Sequence, residues 1–144
     1  MQIEFDERIR TGIDEIDEQH QQLVAIYNEL DDAFQQGRAN RHMSEILARL
    51  YRYTKVHFEH EERLLEECAW PDLAQHQFEH RQLAERLRSF VVRYRRAGER
   101  ISVEVVEFVR AWVVDHIMQC DLRYADHVKE HLAQRPTEIA PTSD

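Results

Sequence analysis

Histidine is the residue type that sets this sequence apart, because it occurs nine times in 144 residues. Imidazole is the commonest metal ligand in proteins, and it titrates near neutral pH. Five of the histidines, with one glutamate and one aspartate, fall on stripes of helical spacing that are otherwise mostly apolar: His20, His57, Glu61, His76, His80, His116 and Asp121. An unpaired carboxylate would be costly in such a stripe, whereas a bound cation accounts for all seven polar side chains together.

The spacing of these residues indicates the kind of metal site. His57 and Glu61 are four residues apart, as are His76 and His80, and side chains at that spacing share one face of a helix. Five imidazoles and two carboxylates exceed what one tetrahedral zinc ion takes, and the sequence has no Cys₂His₂ or Cys₄ spacing. Two six-coordinate ions fit better. The ligand types favour iron and also permit manganese or cobalt.

Four long helices are predicted to position these residues. The sequence has only three glycines and three prolines, and most of them fall where a helix would end. The predicted helices cover 19–36, 41–67, 71–96 and 102–133. Pro71 is placed at a helix start, and Gly37 and Gly98 are placed at C-terminal caps. Because short links make neighbouring helices antiparallel, the sequence predicts an all-α, up-down-up-down antiparallel four-helix bundle with an N-terminal arm.

The fourth predicted helix contains an irregularity between His116 and Asp121. The buried stripe that ends at His116 and the one that resumes at Asp121 differ in phase by one residue. Five residues of an ideal helix turn by about 140° beyond a full turn, which would point the two side chains apart. The sequence therefore predicts a π-type turn between them, a feature often found at functional sites.

Composition disfavours several classes of partner. The sequence has 19 Lys and Arg against 28 Asp and Glu, a net charge of −9, which would repel nucleic acid and anionic membrane surfaces. Two cysteines, and no run of even ten apolar residues, give no reason to expect a disulfide framework, a signal peptide or a membrane span. We therefore expect a soluble, cytoplasmic, single-domain protein that binds neither nucleic acid nor membrane.

The ordered set of seven residues resembles the haemerythrin family, and within it the small single-domain bacteriohaemerythrins. The similarity runs from about Phe5 to His131. It is carried by four motifs, TGIDEIDEQH (11–20), HFEHEE (57–62), HQFEH (76–80) and HIMQCD (116–121). The resemblance implies a haemerythrin-like diiron four-helix bundle over 1–133, in which 1–18 is the N-terminal arm. Residues 134–144 are expected to form a flexible C-terminal tail.

The cofactor implied by the resemblance is a pair of iron ions (Fe²⁺/Fe³⁺) with an oxo or hydroxo bridge. The resemblance assigns His76, His80 and His116 to one iron and His20 and His57 to the other. It makes Glu61 and Asp121 the two carboxylates that bridge both irons. In the family, dioxygen binds reversibly, as a hydroperoxide, at the open position of the iron with fewer histidines. The pocket residues of the family fall on five apolar side chains: Leu23, Phe58, Trp112, Val113 and Ile117.

The function implied by the resemblance is non-enzymatic storage, delivery or buffering of dioxygen, with no catalytic residue. An apolar wall suits this function because reversible binding needs little water and no nearby proton donor. The alternatives are a diiron oxidase, a peroxidase or a nitric-oxide-reactive enzyme on the same bundle, or an oxygen or redox sensor acting through a partner. Oxygen-activating ferritin-like sites use Glu-x-x-His motifs, and no histidine here has Glu three residues before it. Any protein partner is expected to be an oxygen-consuming or signalling protein.

The remaining histidines and both cysteines receive ordinary structural interpretations. His127 and His131 repeat the HxxxH spacing near the end of the last helix, where a second metal site is disfavoured. His42 is expected at the surface, and His60 on a solvated flank beside the site. The two cysteines, Cys68 and Cys120, are expected to be small core residues. Trp70–Pro71 stands where the family often has Tyr-Pro.

Overall fold

The computed structural model describes residues 2–96 and 99–134, and every regular element within these ranges is helical. The five α-helices are α1 (Asp14–Gln35), α2 (Asn40–Glu67), α3 (Leu73–Arg96), α4 (Val103–His116) and α5 (Leu122–Gln134). A π-helical turn (Ile117–Asp121) joins α4 to α5, and a 3₁₀ turn (Glu7–Ile9) lies in the N-terminal arm. Helix α1 contacts α2 and α4, and α3 contacts the same two helices. The predicted all-α, up-down-up-down bundle is confirmed.

The first helix begins five residues earlier than predicted, so an arm covering 1–18 is too long. Helix α1 starts at Asp14 because Asp17 holds the chain at the point where it enters the helix. The carboxylate of Asp17 accepts hydrogen bonds from the backbone N–H groups of Thr11 (2.7 Å) and Gly12 (3.0 Å) and from the Thr11 hydroxyl (2.8 Å). Acidic residues in the first turn also interact favourably with the helix dipole.

The other helix ends agree with the sequence to within two residues wherever the structure describes them. Helix α3 begins at Leu73, two residues after Pro71, and Pro71 belongs to the preceding turn. The predicted cap at Gly98 and the predicted tail after Gln134 lie outside the described residues. None of the helices in 2–96 and 99–134 is both long and apolar enough to cross a membrane.

Helices α1 and α2 end in the same hydrogen-bonded motif, but with different residues in the left-handed position. After α1, Gly37 has φ +66°, and Arg38 donates its backbone N–H to Ala33 O at 2.9 Å. After α2, Ala69 has φ +54°, and Trp70 donates its backbone N–H to Leu65 O at 3.0 Å. Both ends are Schellman motifs, in which glycine is the usual residue. Alanine in this conformation is strained.

We expect Ala69→Gly to stabilise the chain by about 1 kcal/mol. Removing the left-handed alanine recovers about 1–2 kcal/mol, which exceeds the cost of about 0.4–1 kcal/mol for a more flexible unfolded chain. Gly37→Ala is the matched reverse change, and we expect it to destabilise the chain by a similar amount because alanine is strained in the left-handed conformation. Beyond its chain neighbours the new Cβ meets no atom within 4 Å, so no clash adds to this effect. Urea denaturation of the metal-free variants measures both effects. If Ala69→Gly were less stable than the wild type, the conclusion that Ala69 is strained would be contradicted.

The turn between α4 and α5 is π-helical, as the phase of the sequence predicted. Leu122 donates its backbone N–H to the carbonyl of Ile117, five residues earlier, instead of four. The extra residue in this turn compensates for the five-residue spacing of His116 and Asp121. The two side chains consequently meet, with His116 Nε2 3.2 Å from Asp121 Oδ1.

Candidate metal centre

The seven polar side chains predicted on buried stripes come together inside the bundle. None is more than 6% exposed. They form two groups, and within each group one donor atom from every residue lies within 4.8 Å of the others. The group with three histidines consists of Glu61, His76, His80, His116 and Asp121. The group with two histidines consists of His20, His57, Glu61 and Asp121. Both carboxylates therefore belong to both groups.

Glu61 presents one carboxylate oxygen to each group. Its Oε1 lies 2.6 Å from His76 Nε2 and 3.0 Å from His80 Nε2. Its Oε2 lies 3.3 Å from His57 Nε2 and 3.8 Å from His20 Nε2. The carboxylate thus stands between the two groups with one oxygen facing each of them.

Asp121, the last residue of the π-helical turn, also presents one carboxylate oxygen to each group. Its Oδ1 lies 3.2 Å from His116 Nε2 and 3.3 Å from His76 Nε2. Its Oδ2 lies 2.8 Å from His20 Nε2. The π-helical turn therefore places a second carboxylate between the three-histidine group and the two-histidine group.

Three side chains that the sequence analysis did not single out hold this cluster in place. Gln19 Oε1 lies 2.6 Å from His57 Nδ1, and Glu62 Oε2 lies 2.6 Å from His80 Nδ1. These oxygens favour a proton on Nδ1, which leaves Nε2 free to act as a metal ligand. The third is Tyr124, which donates a 2.8 Å hydrogen bond to Glu61. Gln19 and Glu62 are sequence neighbours of His20 and Glu61, which was the available signal.

Electrostatics within the cluster favour charged carboxylates. Burial lowers the pKa of a histidine, but the neighbouring carboxylates outweigh burial and raise the pKa of His20 and His116 to about 9 and that of His76 to about 10. Burial alone would raise the pKa of Glu61 and Asp121, yet the surrounding histidines hold both values below their usual range. In the metal-free chain, protons on histidine therefore balance the two buried negative charges.

The residues present fit a pair of metal ions. Both nitrogens of His20, Nε2 of His57 and both oxygens of Asp121 are buried without a hydrogen-bond partner. His20 Nε2 and Asp121 Oδ2 are close, but they are not aligned as a hydrogen bond. Buried polar atoms without partners are costly, and a cation between them removes that cost. The imidazole and carboxylate donors are also of the types that iron takes.

We expect the stability of the metal-free and metal-loaded chains to respond to pH in opposite directions. In the metal-free chain, the raised pKa values of His20, His76 and His116 contribute stability that is complete below about pH 6.5 and is lost as the pH rises through 9 to 10. In the loaded chain these histidines are unprotonated, so the unfolded chain binds more protons and stability increases as the pH rises through 6.5. Urea denaturation between about pH 6 and pH 10 tests this. Parallel profiles would contradict it.

The five predicted pocket residues are all buried in one apolar cluster beside the histidines. Phe58 stacks flat on His80, with ring centroids 3.6 Å apart and planes within 3°. Trp112 meets the edge of Phe58 at 6.2 Å, and its Nε1 is buried without a hydrogen-bond partner. The other three members are Leu23, Val113 and Ile117. The histidines therefore lie beside a continuous apolar wall.

The structure describes several of the residues that received structural interpretations. His127 lies 2.6 Å from the carbonyl of Cys68, and Cys68 is buried. His42 is exposed, while His60 lies 3.4 Å from Glu15. Cys120 is not the small core residue that was predicted. It is partly exposed and donates from Sγ to Glu79 Oε1 at 3.2 Å, because the π-helical turn that brings Asp121 inward places Cys120 towards the surface.

A helical bundle that brings together five histidines and two carboxylates, with both carboxylates shared between two groups of histidines, is a metal-binding bundle. The family model described as the Hemerythrin HHE cation binding domain matches residues 11–133. The chain belongs to the haemerythrin family.

Curated relatives and solved structures agree with this assignment. Bacteriohemerythrin of Stenotrophomonas maltophilia (strain R551-3) is 36% identical over 126 residues, which are 88% of this chain and 81% of that protein. Bacteriohemerythrin of Pseudomonas aeruginosa (strain LESB58) is 32% identical over the same shares. A crystal structure of wild-type hemerythrin has a TM-score of 0.76 and 25% identity, and the match covers 82% of this chain and 90% of that one.

Proposed function

We propose that this chain binds dioxygen reversibly at two iron ions held by the seven buried residues. The observation that carries the proposal is the sharing of Glu61 and Asp121 between two groups of histidines, with one oxygen of each carboxylate facing each group. When bound, the two irons supply a coordination position and the two electrons that reversible binding of dioxygen uses. The match to a cation binding domain and the similarity to bacteriohemerythrins support a bound metal.

The unequal groups favour one open position. His76, His80 and His116 give three imidazoles to one ion, whereas His20 and His57 give two to the other. With both carboxylates shared, the ion in the two-histidine group has one protein ligand fewer than its neighbour. We infer that a small external ligand binds on that side. The two carboxylates offset part of the cation charge, which makes two ions tolerable in a buried site.

The surrounding residues orient the ligands and keep water away. Gln19 and Glu62 hold His57 and His80 in the tautomer that offers Nε2. Phe58 covers the face of His80, and Trp112 covers the edge of Phe58. The Tyr124 hydroxyl is committed to Glu61. A largely apolar wall, in which the Trp112 indole N–H is a buried donor without a partner, limits the water around bound dioxygen and favours its release over its reduction. We therefore propose a binding protein that is not an enzyme.

Repeated oxygenation of the iron-loaded protein tests the proposal. The protein is reduced under argon, exposed to air and sparged with argon again, while its visible spectrum is followed. We expect a band that appears with air and fades with argon over several cycles. His57→Ala should lose this band, and the matched change His42→Ala, at an exposed histidine, should retain it. Irreversible bleaching, or sustained oxygen consumption with a reductant, would indicate an enzyme instead.

A further inference from the structure

The outer face of α3 carries two exposed apolar side chains in a regular arrangement. Phe78 is 48% exposed and Val92 is 40% exposed, and they are two of the four large apolar residues that are exposed within 2–96 and 99–134. Phe78 lies seven residues before Glu85, and Val92 lies seven residues after it. Residues seven apart share one stripe of a helix, and Arg81 and Arg88, which fall between them at helical spacing, are also exposed. This outer stripe is therefore symmetric about Glu85.

A groove beside Phe78 opens between α3 and α4, the least closely packed of the neighbouring helix pairs. It has a volume of about 560 Å³, and its wall includes the rings of Phe78, Phe108 and Trp112. Glu79 and Asp115 also line the groove, and none of the described residues that line it is Lys or Arg. The groove therefore offers an apolar wall and negative charge to whatever covers this half of α3.

The other half of α3 carries the opposite charge. Residues 86–96 include five arginines and no acidic residue, whereas residues 73–85 include two glutamates and one arginine. Arg95 and Arg96 are exposed, and neither has an ion-pair partner among the residues that the structure describes. A second α3 laid antiparallel on the first would place each arginine-rich half along the acidic groove of the other copy.

We propose that two copies of this chain pair through the outer stripe of α3, antiparallel, about a two-fold axis that passes beside Glu85. In this register, residues equally far from Glu85 in opposite directions face each other. Phe78 of one copy then meets Val92 of the second copy, and by symmetry the contact forms twice. Each groove is covered by the arginine-rich half of the second copy, which supplies the charge that the groove lacks.

The charges near the axis are also balanced. The two Glu85 side chains approach each other there, but each has Arg88 of its own chain at 3.5 Å. Arg81 of the second copy lies one helical turn away, so four guanidinium groups surround two carboxylates. Exposed ion pairs of this kind fix the register more than they add affinity.

The size of the contact predicts a reversible dimer. A helix of 24 residues is about 36 Å long, so a contact along α3 is at the low end of protein–protein interfaces. We expect a dissociation constant on the order of 10–100 μM, with monomers at low chain concentration.

Sedimentation velocity of the full chain over a range of concentrations tests the pairing. Val92→Glu places a carboxylate against Phe78 of the second copy and should weaken association by roughly tenfold or more. Val56→Glu is the matched control, at a valine on α2 that is 62% exposed, and should associate as the wild type does. Circular dichroism checks that both variants fold. A wild-type chain that stays monomeric at every concentration would overturn the pairing, as would a dimer that Val92→Glu leaves unchanged.

Cross-linking at Glu85 tests the position of the axis. Cys120→Ser removes the partly exposed thiol and leaves Cys68, which is buried. In that chain Glu85→Cys should be joined into a covalent dimer by a short bis-maleimide, whereas Glu59→Cys, at an exposed position on α2, should not. Cross-linking through residue 59 but not through residue 85 would place the interface elsewhere and overturn the proposal. Both measurements are made on the metal-free chain, so their failure would leave the proposed binding of dioxygen unaffected.

Discussion

Glu61→Gln is expected to leave the chain unable to hold two iron ions, with an affinity reduced by more than about 100-fold. The amide keeps the shape of the carboxylate but has one oxygen, so it can serve one group of histidines and presents an N–H₂ donor to the other. Because Glu61 Oε1 and Oε2 face different groups, this single change affects both ions. Iron per chain, measured after dialysis, and competition with a chelator give the effect directly.

Two neighbouring glutamates on α2 provide graded controls for this change. Glu62→Ala removes only the partner of His80 Nδ1 and should cost about tenfold in iron affinity. Glu59 is exposed, and Glu59→Gln should bind two irons as the wild type does. Iron should raise the melting temperature of the wild type and of Glu59→Gln, but not of Glu61→Gln, since binding to the folded state adds to stability. If Glu61→Gln bound two irons with the affinity of the wild type, the shared role of Glu61 would be refuted.

Phe58→Ala is expected to destabilise the metal-free chain by about 3–5 kcal/mol. Phe58 is 5% exposed, stacks on His80 and contacts Trp112, so its removal leaves a cavity between the ligand cluster and the apolar core. Such a cavity beside polar atoms admits water. We therefore also expect the oxygenated form to decay faster. Urea denaturation measures the first effect, and the lifetime of the visible band measures the second.

Phe78→Ala is the matched control for Phe58→Ala. Phe78 lies on α3 and is 48% exposed, so its removal should change stability by less than about 0.5 kcal/mol. Phe58→Leu keeps an apolar side chain in the pocket and should lose less stability than Phe58→Ala. Equal stability of Phe58→Ala and Phe78→Ala would show that the ring does not form part of the wall.

Periodicity was sufficient to predict the bundle and the π-helical turn, because both follow from which residues share a helix face. The polar residues on the stripes had to point inward, and His116 and Asp121 could do so together only if the helix widened between them. The resemblance to a known family supplied the division of the seven residues between two ions. The structure places their side chains in two groups with the same membership.

The features that the sequence did not predict depend on contacts between distant segments. Helix α1 begins early because Asp17 reaches back to Thr11 and Gly12, which helical periodicity does not describe. The contact of Tyr124 with Glu61 joins residues 63 positions apart. Periodicity assigns a residue to a face but does not say which atom on the opposite helix it meets. For the same reason Cys120, next to Asp121, was predicted in the core although it is partly exposed.

Anomalous diffraction at the iron edge from crystals of the iron-loaded protein is the most direct test of the central claim. Two peaks are predicted within bonding distance of different histidines, one beside His76, His80 and His116 and the other beside His20 and His57. Glu61 and Asp121 should each contact both peaks. A single peak, or two peaks that share neither carboxylate, would contradict the account.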